Sequence, residues 1–261
     1  MDARFGVLAP LALIAAAAPL AAPTKTKYLI ETTVEQTVDL TAMGQGEQKN
    51  TVTQVAVFTV VLTDSAGGKV MHVVMDSVAV NGPGAPTASL LQGLKGAWVH
   101  GYLDSEGHPR NLVASNDTSD VLSQLTTSLH TFYPRLKPGF KQGDAWLDTT
   151  EVASKSSTQQ TKTRVITSYT AGAEESVGAQ KARRIETTHS SSVTGKIQNP
   201  MAGEMELESS ESGNATYFVT ADGRFMGGSL TANGTAKVSS AMLPEPIPIK
   251  LSRKSTVTVL E

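Results

Sequence analysis

Tyr28 to Leu40 reads YLIETTVEQTVDL, and its alternation decides the fold class. Tyr28, Ile30, Thr32, Val34, Gln36, Val38 and Leu40 fall on one face, with Glu31, Thr33, Glu35, Thr37 and Asp39 on the other. Side chains alternate across a strand, so a period of two with charges on one side predicts a strand packed on one face and wet on the other. After a polar turn from Gly44 to Lys49, Thr51 to Thr63 forms a second strand with apolar residues on both faces, including Ala56, Val57, Phe58, Val60, Val61 and Leu62. Such a strand is expected to be covered on both sides. Asp64 to Gly68 makes a hairpin loop, and Lys69 to Val80 returns as a third strand before the NGPGAP stretch at Asn81 breaks the pattern.

Further along, Ala97 to Ala114 forms a hairpin turning at Asp104-Ser105-Glu106-Gly107, with Trp98, His100 and Tyr102 on one face of its first arm. A weak helical turn spans Ala88 to Leu94. The one strong helix runs from Asp117 to Tyr133, where Val121, Leu122, Leu125, Leu129 and Phe132 make an apolar stripe that Pro134 closes. Asn116 or Thr118 is its expected N-cap. Beyond it the β-pattern resumes near Ala145 to Ser154, Thr161 to Ala171, Gln180 to Thr194, Glu204 to Thr220, Arg224 to Val238 and Ile247 to Leu260.

The expected fold is therefore mainly β: an antiparallel curved sheet or sheets, half-barrel or sandwich, with one amphipathic helix packed on the sheet. The runs YFVTADGR from Tyr217 and GYLDSEGH from Gly101 echo one another. They suggest two similar β-rich halves, 23–134 and 135–261, or one continuous domain with chance likeness between hairpins.

Upstream, Phe5 to Ala22 is an apolar run behind a single Arg4, closing in small residues before PTKTK. As a helix, Phe5 to Leu20 would rise roughly 24 Å, short of the ~30 Å hydrocarbon core. The layout is that of a signal peptide over 1–22, cleaved after Ala17, after Ala22 or nearby, with an uncleaved N-terminal anchor as the alternative. The expected address is periplasmic or extracellular.

Cysteine is absent, which removes both disulfides and the thiol that a bacterial lipid anchor needs. Once the leader is cleaved, no transmembrane anchor is expected. With 22 Lys and Arg against 24 Asp and Glu, the net charge of -2 gives no electrostatic case for nucleic acid. An outer-membrane barrel should carry aromatic girdles and lipid-facing alternation, whereas this chain is 5% aromatic and has charges on both sides of several strands.

Candidates for chemistry each have a plainer explanation. His72, His100, His108, His130 and His189 lack metal-ligand spacing, and Asp104, Glu106 and His108 cluster at a turn, where acidic residues ordinarily keep a loop wet. No GxSxG elbow is present, and Gly67-Gly68-Lys69 joins two strands and not a strand to a helix, so no phosphate loop forms. Asn116, Asn214 and Asn233 match the glycosylation pattern, which matters only in a eukaryotic secretory route. No cofactor is called for, and the expectation is a protein that is not an enzyme.

One stretch carries a resemblance. Phe132-Tyr133-Pro134, then Lys137-Pro138-Gly139, then Gly143-Asp144-Ala145-Trp146-Leu147-Asp148-Thr149, resembles the central P…kPG…GD.W.dT signature of a family of exported bacterial β-rich proteins to which no activity is assigned. The resemblance implies a secreted β-protein; many members are lipid-anchored, and this chain departs from them in lacking Cys. Physically, Pro138, Gly139, Gly143 and Asp144 suit turns, and Trp146 is expected to cap the core while its N–H finds a partner.

Two functions from different classes fit these features. In the first, the sheet and helix enclose an apolar cavity for lipid or an acyl chain, broadly similar to the half-barrel lipoprotein carriers, lined by Phe58, Met71, Met75, Leu125, Leu129 and Phe132. In the second, the core is filled and the protein acts by contact with another envelope protein.

Overall fold

The computed structural model describes residues 22–116, 120–155, 159–199, 203–243 and 245–260. The apolar segment expected to be a signal peptide, up to residue 21, and the candidate cap Thr118 lie outside them. Among the described residues no helix is long and apolar enough to cross a membrane.

Among the described residues, eleven strands form one antiparallel sheet. They are β1 (Thr24–Asp39), β2 (Glu47–Ser65), β3 (Gly68–Asn81), β4 (Trp98–Asp104), β5 (Pro109–Ala114), β6 (Ala145–Lys155), β7 (Gln159–Val177), β8 (Gln180–Asn199), β9 (Gly203–Val219), β10 (Phe225–Ser239) and β11 (Ile247–Leu260). Their order is β5-β4-β3-β2-β1-β11-β10-β9-β8-β7-β6. The chain thus meanders from the middle to one edge, crosses to the opposite edge, and meanders back until β11 lies beside β1. Every pairing joins strands adjacent in sequence except β1–β11, whose register runs from Lys27↔Leu260 to Val38↔Ile249.

The crossing segment contains the main helix, α2 (Asp120–Leu129), after the short α1 (Ala88–Gln92) on the β3–β4 connection. α2 ends earlier than its apolar stripe predicts. His130, Thr131 and Phe132 each donate their N–H to the carbonyl three residues back, which tightens the chain into the turn that Pro134 requires. The helix touches both edge strands, β5 and β6, and lays Leu122, Leu125 and Leu129 over the inner face of the curl. The sheet is a half-barrel whose open side is spanned by α2.

Two bulges decide which side chains point inward. Between β2 and β3 the register shifts at Val57 and Phe58, so on β3 Met71, Val73 and Met75 face in with odd numbers and Val78 and Val80 with even ones. The displaced Asp76 turns outward, accepts a hydrogen bond from Thr59 (2.8 Å) and lies 3.4 Å from Lys27. On β10 the shift between Phe225 and Gly228 brings Phe225 and Leu230 to the same interior.

The best-packed end of the curl is aromatic. The Phe132 ring sits edge-on to Tyr28, Phe58 and Phe225, each 5.3 Å away, and to Tyr133 at 4.8 Å. Tyr28 donates its hydroxyl to the carbonyl of Phe225 (3.0 Å), tying β1 to β10 across β11. Burial pushes that hydroxyl up to about 12, so it remains a donor throughout the neutral range.

The doubly apolar β2 receives cover on one face only. Ala56, Phe58 and Val60 are buried beneath α2 and the aromatic cluster, whereas Val55 on the outer side is 38% exposed and Val57 and Val61 are half-buried. β-branched residues fit a strand whether or not a second layer covers them, so the apolar run reflected strand propensity as much as burial.

Candidate ligand cavity

The interior is not filled from end to end. Away from the aromatic end, two connected hollows of about 380 and 330 Å³ lie between α2 and the concave face of the sheet. An eight-stranded barrel is about as wide as its side chains can fill, and a wider curl needs large side chains or leaves space. Here the inward positions of β9 and β10 include Gly213, Ala215, Gly228, Ala232 and Gly234, which are too small to reach the helix, beside larger ones at Glu211, Tyr217 and Leu230.

The larger hollow is mostly apolar, with Thr32, Gln54, Ser229 and Ser255 among its polar borders. Ile30, Val34, Ala56, Phe58, Met75, Val78 and Val257 supply its sheet side, and Leu125, Leu129 and Phe132 its roof. Five of the six residues expected to line a cavity, Phe58, Met75, Leu125, Leu129 and Phe132, therefore border it. Met71 does not. It is 0% exposed and packed in the aromatic cluster, because it stands two inward positions beyond Met75, past the end of the hollow.

The smaller hollow, under β6 to β9, is lined by hydroxyls and valines alternating from strand to strand, among them Thr163, Val165, Thr167, Thr187, Ser191 and Val193. Ser128, Thr131, Tyr217, Leu230 and Arg253 border both hollows, so the two form one amphipathic space.

At the junction three polar side chains meet. Arg253 on β11 donates from Nη2 to Glu211 Oε1 on β9, and His189 Nε2 on β8 lies 3.6 Å from the same oxygen. The Glu211 side chain is 16% exposed and that of His189 8%. Burial alone would raise the Glu211 carboxyl, but His189 and the Arg253 guanidinium outweigh it and hold the group below the usual carboxylate range. Arg253 Nε and His189 Nε2 are buried without a hydrogen-bond partner among the described residues.

None of these three residues stands out as a motif, yet the strand phase marks them. Glu204, Glu206 and Glu208 carry the outward, even phase of β9, while Glu211 shares the odd phase of Leu207, Ala215 and Tyr217. Likewise Arg253 is in phase with Leu251, Val257 and Val259, and Lys250 and Lys254 are not. A charge in the apolar phase of a half-buried strand is the signal.

A second polar group closes the seam between the sheet edges. His108, in the β4–β5 turn, places Nδ1 3.2 Å from Asp104 and Nε2 3.0 Å from Asp148 on β6. Arg135 is 4% exposed, donates to the carbonyls of Gly107 and His130, and lies 3.7 Å from Asp148. Both ring nitrogens of His108 thus face carboxylates in a latch, and Glu106 lies 3.8 Å from Nδ1.

The signature residues support that latch. Gly139 and Gly143 take left-handed φ values of 68° and 87°, and Asp144 accepts the N–H of Lys141 (3.0 Å) while its own backbone pairs with Ala171. Trp146 stacks on Tyr169 with centroids 5.4 Å apart and planes 2° apart, lies against Phe140, and donates Nε1–H to the carbonyl of Arg135 (3.0 Å). Pro138 shapes the turn from Lys137 to Phe140.

No family model matches this chain, and no curated protein sequence does. Among solved structures, the outer membrane protein OpdK of Pseudomonas aeruginosa is 8% identical, over 91% of this chain and 99% of that one, with a TM-score of 0.24. Two mutant forms of the Rhodopseudomonas blastica porin are 9% identical over 92% of this chain and 100% of theirs, with TM-scores of 0.21 and 0.20. Likeness at that level bears on neither site nor role. The outer face is charged: Lys162 and Arg164 on β7, Glu206 and Glu208 on β9, and Lys250 and Lys254 on β11 are all exposed. A lipid-spanning barrel carries a continuous apolar band outward, whereas this outer face sets charges among its apolar residues.

Proposed function

We propose that this protein is an exported, non-catalytic carrier that holds an apolar or amphiphilic ligand such as a lipid beneath α2. The observation that carries the reading is the unfilled interior: a mostly apolar hollow of about 380 Å³, roofed by an amphipathic helix, beneath which several inward positions of β9 and β10 are glycine or alanine. Small-molecule sites are typically concave, mostly apolar and furnished with a few convergent polar groups, which this space has. Export rests on the apolar leader from Phe5 to Ala22, and the lack of Cys leaves the mature protein without a lipid tether. The resemblance around Pro138 and Trp146 to exported β-rich proteins is in keeping with that address.

Native mass spectrometry after mild purification is the test. A lipid-sized adduct, with displaceable fluorescence gain from an apolar dye, is the expected result; a bare protein mass and a silent dye would overturn the carrier reading. In that event contact with another envelope protein becomes the better reading. The observation favouring it is Val113 and Leu147, 59% and 65% exposed on the two edge strands.

A further inference from the structure

Resting on the carrier reading, we infer that the ligand is an uncharged amphiphile with a polyol head, its chain in the apolar hollow and its head in the hydroxyl-lined one. The lining of the smaller hollow points to that head. Thr163, Ser191 and Ser209 border it from the neighbouring strands β7, β8 and β9, are half-buried, and tie their hydroxyls by no side-chain hydrogen bond to another described residue. None of the three is among the sealed polar groups that lack a partner, so their hydroxyls keep access to the hollow. A serine or threonine hydroxyl both donates and accepts, and so answers a hydroxyl or an ester oxygen without asking for charge. Val193 stands between Thr163 and Ser209 in the register, and Val165 stands opposite Ser191. A polyol likewise presents hydroxyls with C–H groups between them.

Charge argues the same way. Arg253 and His189 both face Glu211, and Arg135 faces Asp148, so the cations beside the hollows already have carboxylates from within the fold. An added anion would meet Glu211, and an added cation would meet Arg253 or Arg135; either would give up its water for no free counter-charge. An uncharged head avoids that cost. Size adds to this: at water's share of roughly 30 Å³ per small group, about 380 Å³ holds a chain of on the order of a dozen methylenes, and about 330 Å³ on the order of ten further groups. A lone hydroxyl or carboxylate leaves most of the second space empty, whereas a glycerol ester or a sugar occupies it.

The experiment titrates the delipidated protein, at about pH 8 where a carboxylate is ionised, with 1-monolauroyl glycerol, dodecanol and laurate, which share one chain length. The glyceride is expected to bind on the order of tenfold more tightly than either, the worth of about two neutral hydrogen bonds, although its head is the more readily hydrated of the two neutral ones. Thr163→Val combined with Ser191→Ala should bring its preference over dodecanol down to about twofold. That ratio is the readout, since a damaged cavity would lose both probes together. Dodecanol or laurate binding the intact protein as tightly as the glyceride overturns the neutral-head inference and leaves the carrier reading standing, as does an undiminished preference in the double variant. Binding of none of the probes, with no dye signal, overturns both.

Discussion

Trp146 shows how one side chain joins local turn chemistry to the closure of the molecule. Its ring lies flat on Tyr169 and its N–H holds the carbonyl of Arg135, whose guanidinium grips the β4–β5 turn. Trp146→Ala should cost about 3–5 kcal/mol, the range for removing a packed aromatic. Trp146→Phe keeps much of the packing but loses the hydrogen bond and some ring contact, and should cost less, about 1–2 kcal/mol. Thermal melts of the two variants check the order; an alanine variant melting with the wild type would show that the ring is not structural. At the same scale, Glu211 gives a pH signature. Its folded carboxyl is held below the ordinary value against the pull of burial, so the stability it contributes is fully present above the unfolded value and is lost as pH falls through the folded one. The wild type should therefore lose melting temperature more steeply than Glu211→Gln on going from about pH 5 to pH 3. Parallel pH curves would contradict this.

At the scale of elements, strands were legible because alternation and turn residues agree along most of the chain. Gly67, Gly107, Gly178 and Gly223 each supply the positive φ that their hairpin turns need, and glycine between two alternating runs marks each of these turns in the sequence itself. What escaped is whatever depends on partners far away in sequence. The helix from Asp120 could be found from its stripe, but its early end depends on how residues 130–136 must dock against the β4–β5 turn. The site was half legible for the same reason. Its apolar lining follows from bulky residues on strand and helix faces, whereas Arg253, Glu211 and His189 meet only through the registers of β8 to β11. Curvature is also set non-locally. A Cβ on Gly213 of β9 would stand 2.2 Å from the carbonyl oxygen of Thr231 and 2.6 Å from Cβ of Ala232 on β10. Glycine at such a position lets the sheet bend sharply. Gly213→Ala should cost on the order of 1–3 kcal/mol by overpacking, seen as a lower denaturant midpoint. An unchanged midpoint would mean that the bend yields without strain.

For the whole molecule the decisive feature is that the two ends of the chain pair in the middle of the sheet. The run from β1 to β5 and the run from β6 to β11 each look like an independent meander, and the echo between their hairpins encourages that view. Their interiors are nonetheless shared: Tyr28 and Phe58 from the first run pack with Phe225 from the second, and Phe132 from the crossing segment touches all three. Neither run can bury these rings alone, and β1 without β11 would present a long unpaired edge. Unfolding should accordingly be a single cooperative transition. The two tryptophans, Trp98 in the first run and Trp146 in the second, make this measurable. In Trp98→Phe, fluorescence reports only the second run while far-ultraviolet circular dichroism reports both, and coincident denaturant midpoints are expected. A dichroism curve in two steps, with fluorescence following one of them, would show instead that the meanders unfold separately. Because long-range pairing must precede most of the burial, refolding should also be slower than for a helical chain of this length, and a chain ending before Ile247 should fail to give the native dichroism spectrum at all.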